Sequence, residues 1–377
     1  MRDGWEIRAF DACIEKHKAP TKLLSSAYQE RGAYPIVSQE KDLISGYWDN
    51  QEDLFVHRKP VVVFGDHTMV VKYIDFDFVV GADGVKILEP KDFLLPKFFF
   101  YWVSSVHIQS RGYARHFRYL REANVPIPSL TEQQRIVDIL DQEFAKIDAL
   151  KANAEKSLQA AKDLFQATLK KELEPKEGWK TIRMGDYFRI TSSKRVFQAD
   201  WTDKGVPFYR AREIVKLAKY GSVDNDLFIT PEMYDTYKAK YGVPKVGDVL
   251  ITGVGTLGVC FLVENENPFY FKDGNVIWLQ KEKEISSRYV IYCYQTNDVK
   301  EQVHSTQGAV VGTYTIEKAN ATTIPLPPTM EIQEEIVSRL DVLNDKCNTL
   351  QENYQKTLTL CDDLKQSLLR KAFNGEL

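Results

Sequence analysis

The feature that most constrains this chain is that it is written twice. From Gln133 to Lys171, and again from Gln333 to Lys371, one register holds without a gap at an offset of 200. The matches include Ile136/Ile336, Val137/Val337, Leu140/Leu340, Asp141/Asp341, Leu150/Leu350, Leu158/Leu358, Asp163/Asp363, Leu164/Leu364 and Leu169/Leu369. Ahead of each constant stretch the correspondence continues with a drifting offset. Gly4-Trp5 recurs as Gly178-Trp179, Tyr34-Pro35-Ile36-Val37 as Val206-Pro207-Phe208-Tyr209, Asp83-Gly84 as Asp273-Gly274, and Ala123-Asn124 as Ala319-Asn320. Drift of this kind is expected when two copies of one fold carry loops of different length. The layout is variable, constant, variable, constant, with expected boundaries at 1–128, 129–174, 175–328 and 329–377.

Both constant stretches predict long helices. Apolar side chains step by three and four through Ile336, Leu340, Leu343, Cys347, Leu350, Tyr354, Leu358, Cys361, Leu364 and Leu368, a coiled-coil stripe that the first copy repeats, but for a last step of five, through Ile136, Leu140, Phe144, Ile147, Leu150, Ala154, Leu158, Ala161, Leu164 and Leu169. Pro126 and Pro128 bar the first helix from extending backwards, as Pro325, Pro327 and Pro328 bar the second. Ser129 with Glu132 makes a capping box, whereas Thr329 caps without one because Ile332 stands at the glutamate position. About 42 residues at 1.5 Å each give a rod of roughly 60 Å, longer than a small domain can cover. The two stripes are therefore expected to bury each other, antiparallel about a pseudo-two-fold axis; a coiled coil between two copies of the chain is the alternative.

A chain of 377 residues implies more than one domain, and 44% hydrophobic with 12% aromatic residues supply enough burial to exclude wholesale disorder. In the variable regions, Pro60–Phe64 and Asp248–Thr252 are apolar strands that turn at glycine and resume over Met69–Ile74 and Val259–Val263, a hairpin in each copy. Aromatic side chains at helical spacing predict short helices near Pro96–Ser105 and Ser287–Asn297. The expected fold class is α+β: two tandem mixed α/β domains related by pseudo-two-fold symmetry and separated by two long antiparallel coiled-coil helices. No apolar run reaches membrane-spanning length, and the charged start Met1-Arg2-Asp3-Gly4-Trp5-Glu6 is unlike an export signal, so a cytoplasmic location is expected.

Catalytic patterns fare poorly. Gly253-Val254-Gly255-Thr256-Leu257-Gly258 has dinucleotide-loop spacing, but the following Val259–Val263 is strand-like where that motif needs a helix, so a hairpin turn is the better reading. No phosphate loop, nucleophile elbow or HExxH helix occurs. The six histidines are scattered, and the five cysteines never form CxxC, so no metal site is expected. Fifty Lys and Arg against 53 Asp and Glu leave a formal charge of -3, so an anionic partner must be met by local clusters. One cluster holds Lys16, Lys18 and Lys22; another alternates cations with aromatics through Arg111, Tyr113, Arg115 and Arg118. The second copy offers Ser193, Lys194, Arg195, Tyr209, Arg210 and Arg212, with Thr256 and Thr313 adding hydroxyl groups. Lys and Arg neutralise phosphates, and the Arg fork, amides and hydroxyls read base edges, so as a set in two divergent regions these residues favour DNA over an ordinary solvated face.

Trp near each domain start, the strand and Gly-Thr-x-Gly turn of Gly247–Gly258, the lead Pro126-Ile127-Pro128-Ser129-Leu130-Thr131-Glu132-Gln133-Gln134 and the segment Ala372-Phe373-Asn374-Gly375-Glu376-Leu377 together resemble the specificity subunit of type I restriction-modification systems. The resemblance covers the whole chain. It implies two target-recognition domains that each read half of a split, asymmetric double-stranded DNA sequence, joined by antiparallel helices acting as a spacer. It further implies no catalytic site and no cofactor of its own, with two copies of an S-adenosylmethionine-dependent adenine methyltransferase subunit and an ATP-dependent restriction subunit as partners. The competing reading is a coiled-coil scaffold carrying two protein-binding domains without DNA affinity.

Overall fold

A computed structural model describes residues 4–16, 20–109, 112, 114–305 and 312–377. The chain is α+β and divides into two compact units, Met1–Lys156 with Tyr354–Leu377, and Ser157–Asn353. Each contains part of both long helices, Leu130–Leu173 and Met330–Asn374.

In unit 1 an antiparallel sheet orders Val71–Ile74, Val61–Gly65 and Val85–Leu88. Side chains alternate across a strand, and both faces are covered here. Val62 and Phe64 enter the cluster that contains Phe10, Phe98, Phe99 and the long-helix residues Ile136 and Leu140, while Val61 and Val63 enter another with Val37, Phe78 and Val80. Burial on both faces explains why the run is continuously apolar. The second cluster lies on a mixed sheet in which Phe78–Gly81 runs parallel to Lys22–Leu23 and to Tyr34–Val37, with Gly46–Trp48 antiparallel on the latter. Glu6–Ala9 pairs with Asn124–Ile127 just before the long helix begins.

Unit 2 repeats this plan. Phe188–Thr191, Val276–Lys281, Val249–Thr252 and Cys260–Leu262 form an antiparallel sheet, Val206–Tyr209 runs parallel to Tyr270–Phe271, and Lys180–Arg183 pairs with Thr323–Leu326. Val249 and Ile251 face the long-helix residues Ile336 and Leu340, and Leu250 faces Ile214 and Leu217 of the helix Ala211–Tyr220. Both expected hairpins are present, as are the short aromatic helices, at Pro96–Ser105 and Ser287–Tyr294.

The long helices begin as their caps direct: Ser129 Oγ accepts from Glu132 N at 3.2 Å, and Thr329 Oγ1 accepts from Ile332 N at 3.4 Å. Within unit 1 they run antiparallel, since Arg135 donates to the Leu377 carbonyl at 2.6 Å, Asp148 pairs with Lys365, and Lys151 pairs with Asp362 at 2.7 Å. Unit 2 holds Arg339 against Glu172 at 2.9 Å. Each stripe is thus met within the chain. The seam itself needs a correction. Leu150, Leu164, Leu350 and Leu364 are 55%, 55%, 42% and 48% exposed, whereas Leu140, Ile147, Ala154 and Ala161 are buried at steps of seven, with Leu340, Cys347 and Cys361 at the matching places. A coiled-coil face alternates steps of four and three. The expected stripe held the buried positions, but its successive steps of three from Phe144 to Leu150 and from Leu158 to Leu164 carry it off the face, and Phe165 is buried in place of Leu164.

The short aromatic helix in each unit is seated on a long helix by one repeated set of contacts. Buried Gln133 accepts from Leu95 N at 2.8 Å and donates to the Phe93 and Pro128 carbonyls, so a side chain satisfies the open N-terminus of Pro96–Ser105. Eight residues along, Asp141 accepts from Tyr101 Oη and, at 2.8 Å, from Lys97 Nζ. In unit 2, Gln333 accepts from Ser286 N at 2.9 Å, and Asp341 accepts from Tyr292 Oη and from Arg288 Nε at 2.9 Å. Gln133→Leu strands buried backbone groups and is expected to lower stability by about 1–3 kcal/mol, while Gln134→Leu on the exposed face changes it by less than about 0.5 kcal/mol. Denaturant unfolding of the full chain checks both.

Candidate nucleic-acid interface

In each unit three segments meet at the hairpin turn through the same two backbone hydrogen bonds. In unit 1, Asp66 N donates to the Gly84 carbonyl and His116 N to the Asp66 carbonyl, both at 2.7 Å. In unit 2, Gly253 N donates to the Asn275 carbonyl at 2.9 Å and Tyr314 N to the Gly253 carbonyl at 3.0 Å. Around this shared frame the side chains differ.

The unit 1 junction gathers some of the expected cations. Lys22 Nζ donates to the Val85 carbonyl at 3.3 Å, and burial together with nearby Lys86 holds its ammonium below the ordinary lysine value. Lys86 lies 3.6 Å from buried Asp66 and over the Phe117 ring, and the Asp66 carboxylate also accepts from Phe117 N at 2.8 Å. Arg115 is exposed, and Arg118 folds over Tyr119 with its guanidinium 4.5 Å from the ring centroid. Lys16 is exposed next to Glu15, whose N–H donates to the Glu89 carbonyl past the other end of strand Val85–Leu88. Lys18, Arg111 and Tyr113 lie outside the described residues. Lys86 escaped the sequence reading because it stands alone in a strand; only the fold brings it to Lys22.

In unit 2 the run after Phe188–Thr191 tracks the strand Tyr270–Phe271. Ser193 Oγ donates to the Phe271 carbonyl, Lys194 N donates to Tyr270 Oη at 2.9 Å, and Arg195 pairs with Asp273 at 2.9 Å. Tyr209 sits beside Phe271 in the parallel pair and packs on Phe269 with ring centroids 5.3 Å apart. Ser192 Oγ accepts from Gly274 N at 3.2 Å, which ties this run to the junction. Exposed Thr256 lies in the Gly253–Gly258 turn, where Thr252 Oγ1 donates to its carbonyl, and exposed Thr313 offers its carbonyl to Lys318 Nζ at 3.0 Å. The turn joins two antiparallel strands with no helix behind it, so the glycine spacing serves a hairpin.

Arg210 and Arg212 are both engaged by carboxylates. Arg210 contacts Glu213 and Asp226 at 3.0 Å, and Arg212 also donates to both carboxylates. Burial of Glu213 works to raise its pKa, but the hydrogen bonds from both guanidiniums and from Arg210 N outweigh it and hold the group below the usual glutamate value. Among the described residues no cluster of His, Cys, Asp and Glu fits a metal ion, and no helix is long and apolar enough to cross a membrane. The rings of His57 and His116 are engaged with backbone carbonyls in the protein interior.

With this geometry in hand, the pattern described as "Type I restriction modification DNA specificity domain" matches residues 2–160 and 176–360. The chain belongs to this family. It is 28% identical over 239 residues to a putative type I restriction enzyme specificity subunit of Haemophilus influenzae, covering 62% of this chain and 59% of the relative. It is 27% identical over 242 residues to the EcoR124I/EcoR124II specificity subunit of Escherichia coli, covering 58% and 57%. Each of these matches spans less than two thirds of the relative's length. The EcoBI specificity subunit of the same species is 24% identical over 372 residues, covering 88% of this chain and 75% of the relative. Among solved structures, one from a study of complex assembly and conformational transition of the type I R-M system aligns over 100% of this chain and 99% of its own, with a TM-score of 0.73 at 16% identity. The HsdS subunit from Thermoanaerobacter tengcongensis aligns with a TM-score of 0.51 at 16% identity. At such identities the likeness is one of fold.

Glu213→Gln should lower stability at neutral pH by about 1–3 kcal/mol, because it weakens charge-assisted hydrogen bonds to a buried group. The folded pKa is depressed, so the carboxylate's contribution is present above the ordinary glutamate value near 4.5 and fades as pH falls through the folded value. Thermal unfolding from pH 7 to pH 3 should therefore show wild type and variant converging at the acid end.

Proposed function

We propose that this chain is the non-catalytic DNA-specificity subunit of a type I restriction-modification complex, each unit reading one half of a split, asymmetric duplex target. The observation that carries the reading is the frame kept twice with unlike side chains around it: Lys22, Lys86, Arg115 and Arg118 in one unit, Lys194, Arg195, Tyr209 and Thr256 in the other. Cations of this kind neutralise phosphates and fix register, and the polar and aromatic groups among them meet base edges. Membership of the family supports the same reading.

Its partners are double-stranded DNA, two copies of an S-adenosylmethionine-dependent adenine methyltransferase subunit, and an ATP-dependent restriction subunit; the chain carries no cofactor of its own. Leu150 and Leu364 in unit 1, and Leu350 and Leu164 in unit 2, leave apolar surface at matching places on the long helices, which suits two copies of one partner.

The assembled complex should lose duplex affinity steeply with salt, by about 10³–10⁵ between 50 and 200 mM if six to ten phosphates are contacted; titration of labelled duplex measures the slope, and a flat response would favour the scaffold reading. Removing one matched heptad from both long helices keeps the seam in register and deletes about 10 Å of rod. Sequencing methylated adenines in a host expressing the complex should then show the same two half-sites with a shorter spacer. An unchanged spacer would remove the helices' role in setting it.

A further inference from the structure

The two units agree in the strand pairs that flank one segment and disagree in that segment. Tyr34–Val37 runs parallel to Phe78–Gly81 as Val206–Tyr209 runs parallel to Tyr270–Phe271. Beyond the first of these strands unit 1 turns straight back to Gly46–Trp48, whereas unit 2 inserts the helix Ala211–Tyr220 before returning at Phe228–Ile229. Units that read different half-sites from one frame must differ where they meet the bases. We infer, on the basis of the DNA-reading function proposed above, that Glu40–Ile44 is the base-reading loop of unit 1 and that Lys72, buried beneath it, is its positioning residue.

The loop is built from below. Lys72 is 5% exposed, and its ammonium donates to the Ser38 carbonyl at 2.9 Å and to the Asp42 carbonyl. A methionine would fill similar space without the cost of desolvating a charge; what the ammonium adds is one donor group that holds the loop's root and its tip together. Ser38 and Ser45 join their hydroxyls at 2.7 Å across the loop's base. Gln39 is fastened to the hairpin turn, its carbonyl accepting from Thr68 Oγ1 at 2.7 Å and its Oε1 from His67 N at 3.2 Å. Glycines keep the floor clear: a Cβ on Gly81 would lie 2.9 Å from Ser38 Cβ, and one on Gly65 2.9 Å from Gln39 Cβ.

What this support presents is chemically mixed. Glu40, Lys41, Asp42, Leu43 and Ile44 are all exposed, the last two at 49% and 37%. Two carboxylates in a short loop repel phosphates, so the loop is unsuited to gripping the backbone. In a major groove the same carboxylates accept from cytosine amino groups, Lys41 donates to guanine, and the apolar pair meets thymine methyls. The corresponding segment of unit 2 is likewise organised on a buried charge, of opposite sign: Glu213, gripped by Arg210 and Arg212.

The test is to co-express the full chain with the methyltransferase subunit of its complex in a host free of other adenine methylation and to read both half-sites by sequencing methylated DNA. The exposed variant Glu40→Ala/Asp42→Ala/Leu43→Ser should relax or change one half-site, with at least a tenfold loss of discrimination at one or more positions, and leave the other untouched. Lys72→Met should produce the same one-sided change at unchanged protein level. If the exposed variant leaves both half-sites intact, the loop assignment is overturned. If that variant acts but Lys72→Met leaves both half-sites intact, or lowers methylation equally at every site, Lys72 holds up the fold and does not position the loop. No bipartite motif with the unaltered chain would overturn the DNA-reading function itself, and this assignment with it.

Discussion

Each unit rests on a helix pairing that no contiguous stretch of chain can supply. A long amphipathic helix exposes its apolar face unless something covers it, and most of its stability comes from that cover and not from propensity. Here the cover is part of the other constant helix: Leu369 and Ala372 join Ile136, Val137 and Leu140 in unit 1, and Phe165, Leu169 and Leu173 join Ile336, Val337 and Leu340 in unit 2. The same clusters continue into the sheets through Val62 and Phe64, and through Val249 and Ile251. Helix pairing and sheet burial are therefore one core in each unit.

The repeated contacts of Gln133 and Asp141, and of Gln333 and Asp341, extend this logic from apolar burial to directed bonds. A buried amide that caps a helix N-terminus has few acceptable geometries, because its bonds to fixed backbone groups must all be met at once. The carboxylate two turns further along fixes the rotation of the seated helix by catching a tyrosine and a cation from it. The sheets are thus placed on each long helix by the same grammar in both copies, and whatever loops they carry inherit a defined setting.

Loops can diverge on such a frame without unsettling it. Between the two units the junction bonds of Asp66 and Gly253 persist, while the nearby side chains change in kind and the segment after the equivalent strand changes from a tight return to a helix. Charge is used in two ways. Arg210 and Arg212 shape their own segment through Glu213 and Asp226, whereas Arg115 and Lys194 are exposed and Lys22 is held at the Val85 carbonyl.

Periodicity and proline placement depend on residues near each other in sequence, and self-similarity needs only one stretch compared with another, so the two long helices, their starts and both hairpins are legible in the sequence. The rejection of Gly253–Gly258 as a cofactor loop belongs with them, since it turned on the strand-like residues that follow. Tertiary structure decided the rest. The seam passes Leu150 and Leu164 by because burial follows a face returning every 3.5 residues, and an apolar side chain three residues from the last one does not always lie on that face. Lys86 joins Lys22, and Glu213 and Asp226 capture two arginines, through contacts that propensity does not encode. Lys72 reads in sequence as one more surface lysine; only a fold that closes over its ammonium while offering two carbonyls makes it an internal support.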